Sequence, residues 1–220
     1  MGIVVNDSQN LFMLQTRSNS YAFGIDNQGL VRHLYWGSRI NAMEDFEMPE
    51  LAEVSTNDPV YEITKEEFPV YGGLRYKEHC LKVTFADGTR DVAYEYVNYE
   101  IQKNEQCEEL VIILKDKHYA LVMELHYKIY EAYDLMERFV VLKNESTEVM
   151  QIEKLHSGQF HVPYEGLNFR NVHGHWGAEQ QKFVQKVDYG KIIFENRRGI
   201  SSHNHNPYFI LDQDATETTG

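Results

Sequence analysis

Apolar and polar residues alternate along most of this chain, and short turn sequences separate the alternating segments. The run YAFGI (residues 21–25) is followed by DNQG and then by LVRHLYW (residues 30–36). Asn and Gly accept the positive φ that tight turns require, so this stretch predicts a β-hairpin. Two further strand-like runs, LKVTF (residues 81–85) and RDVAYEYVNYEI (residues 90–101), flank the turn sequence ADGT.

The second of these runs carries an alternation that assigns its residues to two faces. Unbroken alternation predicts one face with Ala93, Glu95, Val97 and Tyr99, and the other with Tyr94, Tyr96 and Asn98. Further strand-like runs follow at residues 110–116, 119–130, 135–146, 149–160, 181–187, 191–195 and 208–213. Periodicity alone also permits a helix over 119–130 or 135–142, although β-branched and aromatic residues favour an antiparallel pair.

Over its whole length the chain offers at least twelve candidate strands and no convincing amphipathic helix. This pattern excludes a repeated βα architecture and predicts an all-β fold, a large antiparallel sandwich. No linker rich in Ser, Gly or Pro divides the chain, so we expect one domain over residues 1–220. Residues 40–73 lack the strand pattern, are acidic and contain three of the five prolines, which predicts an extended surface loop.

The charge balance limits the class of partner. The net charge of −13 and the pI near 5.2 argue against nucleic acid and anionic membranes, which require clustered basic residues. They suit a cytoplasmic protein or an uncharged partner such as a sugar. The two cysteines, Cys80 and Cys107, form neither a disulfide framework nor a zinc pair. The first residues, MGIVVNDSQN, do not resemble a signal peptide, so we expect a cytoplasmic protein.

Two pairs of histidines are candidates for metal chemistry. His173 with His175 and His203 with His205 have the spacing that places both rings on one face of a strand. Such pairs could chelate Zn, Ni or Cu, but a dedicated site requires further ligands. The alternative is that these histidines form hydrogen bonds at strand ends, and the turn-like sequence SHNHNP favours it. We therefore expect no metal site.

Other polar clusters point weakly towards carbohydrate. The segments at residues 67–76 and 166–177 place aromatic residues, Arg and Asn beside glycines, as sugar sites do. Their aromatic residues, including Tyr76 and Trp176, could equally cover the core at a sheet edge, and we favour that interpretation. The acidic sequence MEDFEMPE is interpreted as solvated, with a role in reaching a ligand or a neighbouring subunit as the alternative. No sequence signature of a nucleophilic enzyme is present.

One segment resembles a known family. RRGISSHNHNPYFILDQDATETTG, residues 197–220, closely resembles a segment of the bacterial α-galactosidases of glycoside hydrolase family 36. The segments at residues 41–51, 67–78 and 156–179 fall where that family has similar sequences. The resemblance covers essentially all 220 residues in the family's order.

The resemblance implies a specific architecture and activity. In family 36 this region is an N-terminal β-supersandwich domain of the galactose-mutarotase-like type, and a (β/α)8 catalytic barrel follows it. We therefore expect the chain to be a fragment of a longer enzyme, with the barrel following after residue 220. Both catalytic aspartates belong to the barrel, so we expect no catalytic residue and no activity here. The parent reaction would be retaining hydrolysis of terminal α-1,6-galactosides such as melibiose and raffinose, without metal or cofactor.

The resemblance also implies partners and candidate site residues. Family members are often tetramers in which the N-terminal domain of one subunit borders the active site of another. Loops within residues 41–76 would reach that site, and the candidates for its rim or for the interface are Asp45, Glu47, Tyr71, Arg75 and Tyr76. The chain has YGGLRYKEH where some relatives carry YG-x-GDFR-x-P, so an Asp and a Pro are missing. The alternative functions are an independent carbohydrate-binding module and a pure oligomerisation module.

Overall fold

The structure is a computed structural model, and it describes most of the 220-residue chain. The described residues are 2–43, 46, 48, 64–73, 75, 77–163, 165–195, 197 and 204–215. The chain divides into two compact units, Met1–His161 and Val162–Gly220. The expectation of a single domain over residues 1–220 stays a prediction. Within the described ranges, no helix has the length and apolar composition needed to cross a bilayer.

The first unit is built from antiparallel strands. They are β1 (Ile3–Asn6), β2 (Leu11–Gln15), β3 (Asn19–Ile25), β4 (Val31–Ser38), β5 (Leu81–Thr84), β6 (Tyr94–Lys103), β7 (Glu108–Asp116), β8 (Leu121–Tyr130), β9 (Leu135–Asn144) and β10 (Gln151–Leu155). They form two four-stranded sheets, in the orders β1-β2-β3-β4 and β6-β7-β8-β9, and a two-stranded sheet of β5 and β10.

The hairpin predicted from the first alternating segment is confirmed as β3 and β4. Its turn is closed by Asp26, whose carboxylate accepts the backbone N–H groups of Gln28 and Leu30, each at 2.9 Å. Gly29 has a φ of 80°, a conformation that favours glycine. The turn chemistry seen in the sequence therefore sets the pairing of these two strands.

The two long runs whose helical alternative remained open are strands. β8 and β9 pair along their whole lengths, from Leu121 opposite Asn144 to Tyr130 opposite Leu135. On β8 every second side chain is buried: Leu121, Met123, Leu125, Tyr127 and Ile129. This period of two is the pattern of a strand with one face in the core.

Aromatic and aliphatic side chains fill the space between the two large sheets. Phe23 of β3 stacks on Tyr127 of β8 with ring centroids 4.8 Å apart, so the sheets face one another. On the other face of the first sheet, Leu11 and Met13 of β2 pack with Met43 in a second apolar cluster. The prediction of an all-β fold, a large antiparallel β-supersandwich, is confirmed.

The face assignment predicted for β6 is wrong after its third residue. A β-bulge interrupts the pairing with β7 between Tyr96 and Asn98, and Val97 lies outside with 53% of its surface exposed. The extra residue reverses the alternation, so Tyr99 packs against the main core as Tyr94 and Tyr96 do.

The second unit contains one small antiparallel sheet. Its strands are β11 (Asn168–His175), β12 (Ala178–Lys186), β13 (Asn204–His205) and β14 (Ile210–Asp212). β12 pairs with β11, and β13 and β14 also pair with β11 at successive positions.

The strand predicted at residues 191–195 is absent from the described structure. This segment has an irregular backbone, and Phe194 stacks on Phe169 of β11 with ring centroids 4.7 Å apart. In sequence, a short apolar run that covers a sheet looks the same as one that extends it, so the prediction of a strand here is wrong.

Candidate functional site

Residues 66–70, near the end of the predicted surface loop, lie in the core instead. The side chains of Glu66 and Glu67 are 0% exposed, as is Phe68. The backbone runs beside β4, where the Glu67 N–H donates to the carbonyl of Val31 at 3.0 Å. The prediction of a surface loop is therefore wrong for this part, because backbone pairing with β4 and burial of the apolar residues hold it inside.

Glu67 lies at the centre of a buried hydrogen-bonded cluster, called here the Glu67 cluster. Its carboxylate accepts the hydroxyl of Tyr21 at 2.6 Å and that of Tyr127 at 3.1 Å. His33 Nδ1 lies 2.9 Å from the carboxylate, and Arg138 Nη1 lies 2.8 Å from it. Arg138 Nη2 also donates to the backbone carbonyl of Glu67 at 2.6 Å. Four side chains from four strands, β3, β4, β8 and β9, thus converge on one carboxylate.

The electrostatics of this cluster keep Glu67 ionised. Burial by itself raises the pKa of Glu67, but the charge of Arg138 and the hydrogen bonds from His33 and Tyr21 lower it below its usual value. Burial and the neighbouring Glu67 carboxylate raise the pKa of Tyr21, and burial raises that of Tyr127, well above the ordinary value. The two tyrosines therefore stay neutral, and their hydroxyl groups donate hydrogen bonds to the carboxylate.

Glu66 points to the opposite side of the segment and forms a second cluster. Successive residues of an extended chain face opposite ways, which separates the two carboxylates. Arg32 Nη1, Arg75 Nε and Lys77 Nζ lie 3.5, 3.2 and 3.1 Å from the Glu66 carboxylate. Arg32 is also paired with Asp26 at 2.7 Å. Burial lowers the pKa of Lys77, and the charge of Glu66 opposes that effect.

The two clusters are structural rather than catalytic in this arrangement. An acid or a nucleophile for glycoside hydrolysis must reach the glycosidic bond. Glu66 and Glu67 have no exposed surface and are occupied by internal cations and hydroxyls. What they do is hold residues 64–70 against β4 and the second large sheet.

The residues predicted for a substrate rim or interface are placed only in part. Asp45, Glu47 and Tyr76 lie outside the described residues. Tyr71 is 40% exposed and lies beneath the ammonium group of Lys82, 5.0 Å from the ring centroid. Arg75 turns inward to Glu66, with a side chain 9% exposed. Tyr71 and Arg75 thus face different partners, and their role at a rim stays a prediction.

One histidine of each predicted pair lies beside the other. His173 of β11 and His205 of β13 are directly paired, and their ring centroids are 5.8 Å apart. His205 Nδ1 lies 3.0 Å from the side-chain oxygen of Asn171, a hydrogen bond within the sheet. His203 lies outside the described residues. Among the residues that are described, no group of three His, Cys, Asp or Glu side chains is arranged for a metal.

The buried carboxylates were missed because their sequence surroundings are acidic. A signal existed in the strand that binds them: Arg32 and His33 interrupt the apolar run of β4, and buried charged residues require partners. The structure adds a requirement at Gly158 that the sequence does not show. A Cβ atom at this position would lie within 2.5 Å of Arg138 Nε, so glycine leaves room for the guanidinium of the Glu67 cluster.

Comparison with known proteins identifies the class to which this fold belongs. The family model described as the Glycosyl hydrolase family 36 N-terminal domain matches residues 29–220. The chain therefore belongs to this family. The resemblance expected from residues 197–220 and from the earlier segments is confirmed.

Curated relatives agree with this assignment. The chain is 26% identical over 220 residues to a "Probable alpha-galactosidase G" of Aspergillus terreus, covering 93% of this chain and 30% of that protein. It is 25% identical over 244 residues to the "Bifunctional alpha-galactosidase/sucrose kinase AgaSK" of Mediterraneibacter gnavus, covering 100% of this chain and 26% of that protein. The chain thus spans less than a third of the length of these relatives.

Solved structures show the same fold. The α-galactosidase AgaB of Geobacillus stearothermophilus superimposes with a TM-score of 0.84 at 24% identity, over 96% of this chain and 32% of that one. A structure of a doubly substituted variant of AgaA from the same organism, in complex with raffinose, gives a TM-score of 0.79 at 22% identity, over 91% of this chain and 31% of that one.

Proposed function

We propose that this chain is the non-catalytic N-terminal domain of an α-galactosidase. The observation that carries the proposal is the family match over residues 29–220, together with a fold that accounts for the same region. The burial of Glu66 and Glu67 supports the non-catalytic part, because their carboxylates are closed to a substrate. The chain by itself is then inactive, and the catalytic carboxyl groups lie in a following (β/α)8 barrel.

The proposed reaction of the whole enzyme is hydrolysis of terminal α-1,6-galactosides, such as melibiose and raffinose, with retention. The names of the curated relatives support the galactosidase activity, and the raffinose complex of AgaA supports the substrate class. Retention requires two carboxyl groups about 5 Å apart, one acting as nucleophile and the other as acid and then base. No metal or cofactor takes part in this proposal.

The proposed role of the chain is to support the barrel, to contribute to a homo-tetramer and to form part of the active-site rim. Exposed apolar side chains of the second unit, among them Val184, Phe209 and Ile210, support a docking role because exposed apolar surface often marks an interface. The free thiols of Cys80 and Cys107 support a reducing, cytoplasmic location.

The residues proposed for the rim of the active site are the same five that the family resemblance suggests. They are Asp45, Glu47, Tyr71, Arg75 and Tyr76. The exposure of Tyr71 supports its place at a rim, whereas the ion pair of Arg75 with Glu66 supports a role in positioning the neighbouring segment.

The test is an assay with melibiose and raffinose in three samples. They are the 220-residue chain, full-length AgaA of Geobacillus stearothermophilus, and a chimaera in which this chain replaces the matching segment of AgaA. We expect no turnover by the chain alone, and turnover by AgaA and by the chimaera. Turnover by the chain alone would contradict the proposal, as would a soluble, folded chimaera without activity.

A further inference from the structure

An open cavity of about 460 Å³ lies at one end of the sandwich in the first unit. Its walls come from β3 and β4 on one side and from the start of β9 on the other. The segment that contains Ser157 and Phe160 forms a third wall. The volume falls in the range of about 300–1,000 Å³ that is usual for small-molecule sites.

Two aromatic rings line this cavity and remain exposed. Trp36 is 42% exposed and Phe160 is 44% exposed, and their ring centroids are 5.6 Å apart. Both rings are held by other side chains: Tyr21 meets Trp36 edge-on at 5.9 Å, and the guanidinium of Arg138 lies 5.3 Å from the Phe160 centroid. The cavity therefore offers flat apolar surfaces whose positions are set by core residues.

Three side chains that line the cavity have hydrogen-bonding groups without a protein partner among the described residues. They are the indole N–H of Trp36, the side-chain carbonyl of Asn19 and the hydroxyl of Ser157. The amide nitrogen of Asn19 donates to Ser18 Oγ at 2.9 Å, which leaves its oxygen as an acceptor. The cavity thus supplies a donor, an acceptor and a hydroxyl beside aromatic rings.

The charged groups of the cavity are already occupied. The Asp134 carboxylate accepts hydrogen bonds from the Ser18 hydroxyl and from the Ser18 backbone N–H, the latter at 2.9 Å. These bonds and a further one from the Thr16 side chain lower the pKa of Asp134. Arg138 on the other wall is paired with Glu67. An anionic ligand would be repelled by Asp134, and a cationic ligand would be repelled by Arg138. Because both groups already have partners in the protein, neither is free to pair with a ligand charge, so a neutral ligand fits best.

We propose that this cavity binds a neutral saccharide. The apolar C–H face of a sugar ring would stack on Trp36 or Phe160, and hydroxyls of the ring would bond with Asn19, Ser157 and the indole N–H. An apolar ligand would leave these three polar groups without partners, which carries a free-energy cost. The choice of galactosides as the first ligands rests on the proposed function. The cavity itself, and the conclusion that its ligand is neutral and rich in hydroxyl groups, do not rest on that function.

The experiment is calorimetric titration of the 220-residue chain with galactose, melibiose, raffinose, glucose and maltose. The chain offers a matched control, because Trp176 is 84% exposed in the β11–β12 turn of the second unit. We expect saturable binding to the unmodified chain and to Trp176→Ala. Trp36→Ala should weaken binding at least about tenfold, and Ser157→Ala several-fold, by loss of a stacking surface and of a hydrogen bond.

Folding of each variant is checked by circular dichroism before titration. If Trp36→Ala fails to fold, Ser157→Ala decides the result, because Ser157 is exposed and its loss removes no buried surface. The absence of saturable binding by every sugar would overturn the inference, as would equal affinities of the unmodified chain and the folded cavity variants. Binding of glucose or maltose without galactosides would support the cavity and count against the galactoside choice, whatever the activity of the chimaera.

Discussion

The two units of this chain use apolar residues in opposite ways. In the first unit, β8 buries every second side chain in a core that includes Phe23 and Tyr127. In the second unit, none of the side chains of β12 is buried, and Val184 is 51% exposed. The first unit therefore has a core that can stabilise it, while the second leaves apolar surface of the kind found at interfaces.

The same contrast appears in two arginine–carboxylate pairs. In the first unit Arg138 and Glu67 have side chains 2% and 0% exposed, and further hydrogen bonds surround them. In the second unit Arg170 and Asp212 have side chains 33% and 10% exposed. Water screens the second pair but not the first, so equal charge removal should have unequal effects.

The largest effect is expected from Glu67→Gln. The substitution keeps the size of the side chain but leaves the Arg138 charge buried without its anion, which costs about 3–5 kcal/mol. The measurement is the free energy of unfolding in urea. Asp212→Asn is the control in the more exposed pair and should cost clearly less, because solvent screens the charge of Arg170. Equal losses for the two variants would show that burial does not separate these pairs.

A smaller effect is expected from shortening a core side chain. Leu125→Ala in β8 should lower the free energy of unfolding by about 3 kcal/mol, because it removes buried apolar surface and leaves a cavity. Val184→Ala in β12 should change it by less than about 0.5 kcal/mol, since the side chain is half exposed. A loss above about 2 kcal/mol for Val184→Ala would mean that the second unit buries this residue in solution.

The smallest effect is the pH dependence that arises from Glu67. Its pKa is lowered in the folded protein, because Arg138 and the hydrogen bonds outweigh burial. Stability from this group is therefore full above the usual pKa of 4.5 and is lost as the pH falls through the lower, folded value. Each unit of lowering corresponds to about 1.4 kcal/mol.

Urea unfolding from pH 7 to pH 3 measures this dependence. We expect the difference in stability between the unmodified chain and Glu67→Gln to narrow as the pH falls below 4.5. A difference that stays constant over the whole range would show that ionisation of Glu67 does not contribute.

Local pattern was sufficient where one face of a strand is buried. The β-branched and aromatic residues of 119–130 favour the strand β8, and the sequence DNQG predicts the β3–β4 turn, because both signals act over a few neighbouring residues. The sequence pattern gave the wrong structure where residues distant in the chain determine how a segment packs. The bulge at Val97 reverses the faces of β6, and Phe194 covers the second sheet instead of joining it.

The sequence by itself determined the all-β class and, through the segments it shares with family 36, the family of this chain. Only the tertiary structure decided that Glu66 and Glu67 are buried, because in the sequence they look like part of a solvated acidic loop. Burying a carboxylate is unfavourable unless cations and donors surround it. Those partners are Arg32, His33 and Arg138, which come from β4 and from β9, far along the chain. The cavity beside Trp36 has the same origin, because its walls meet only after the two sheets have packed.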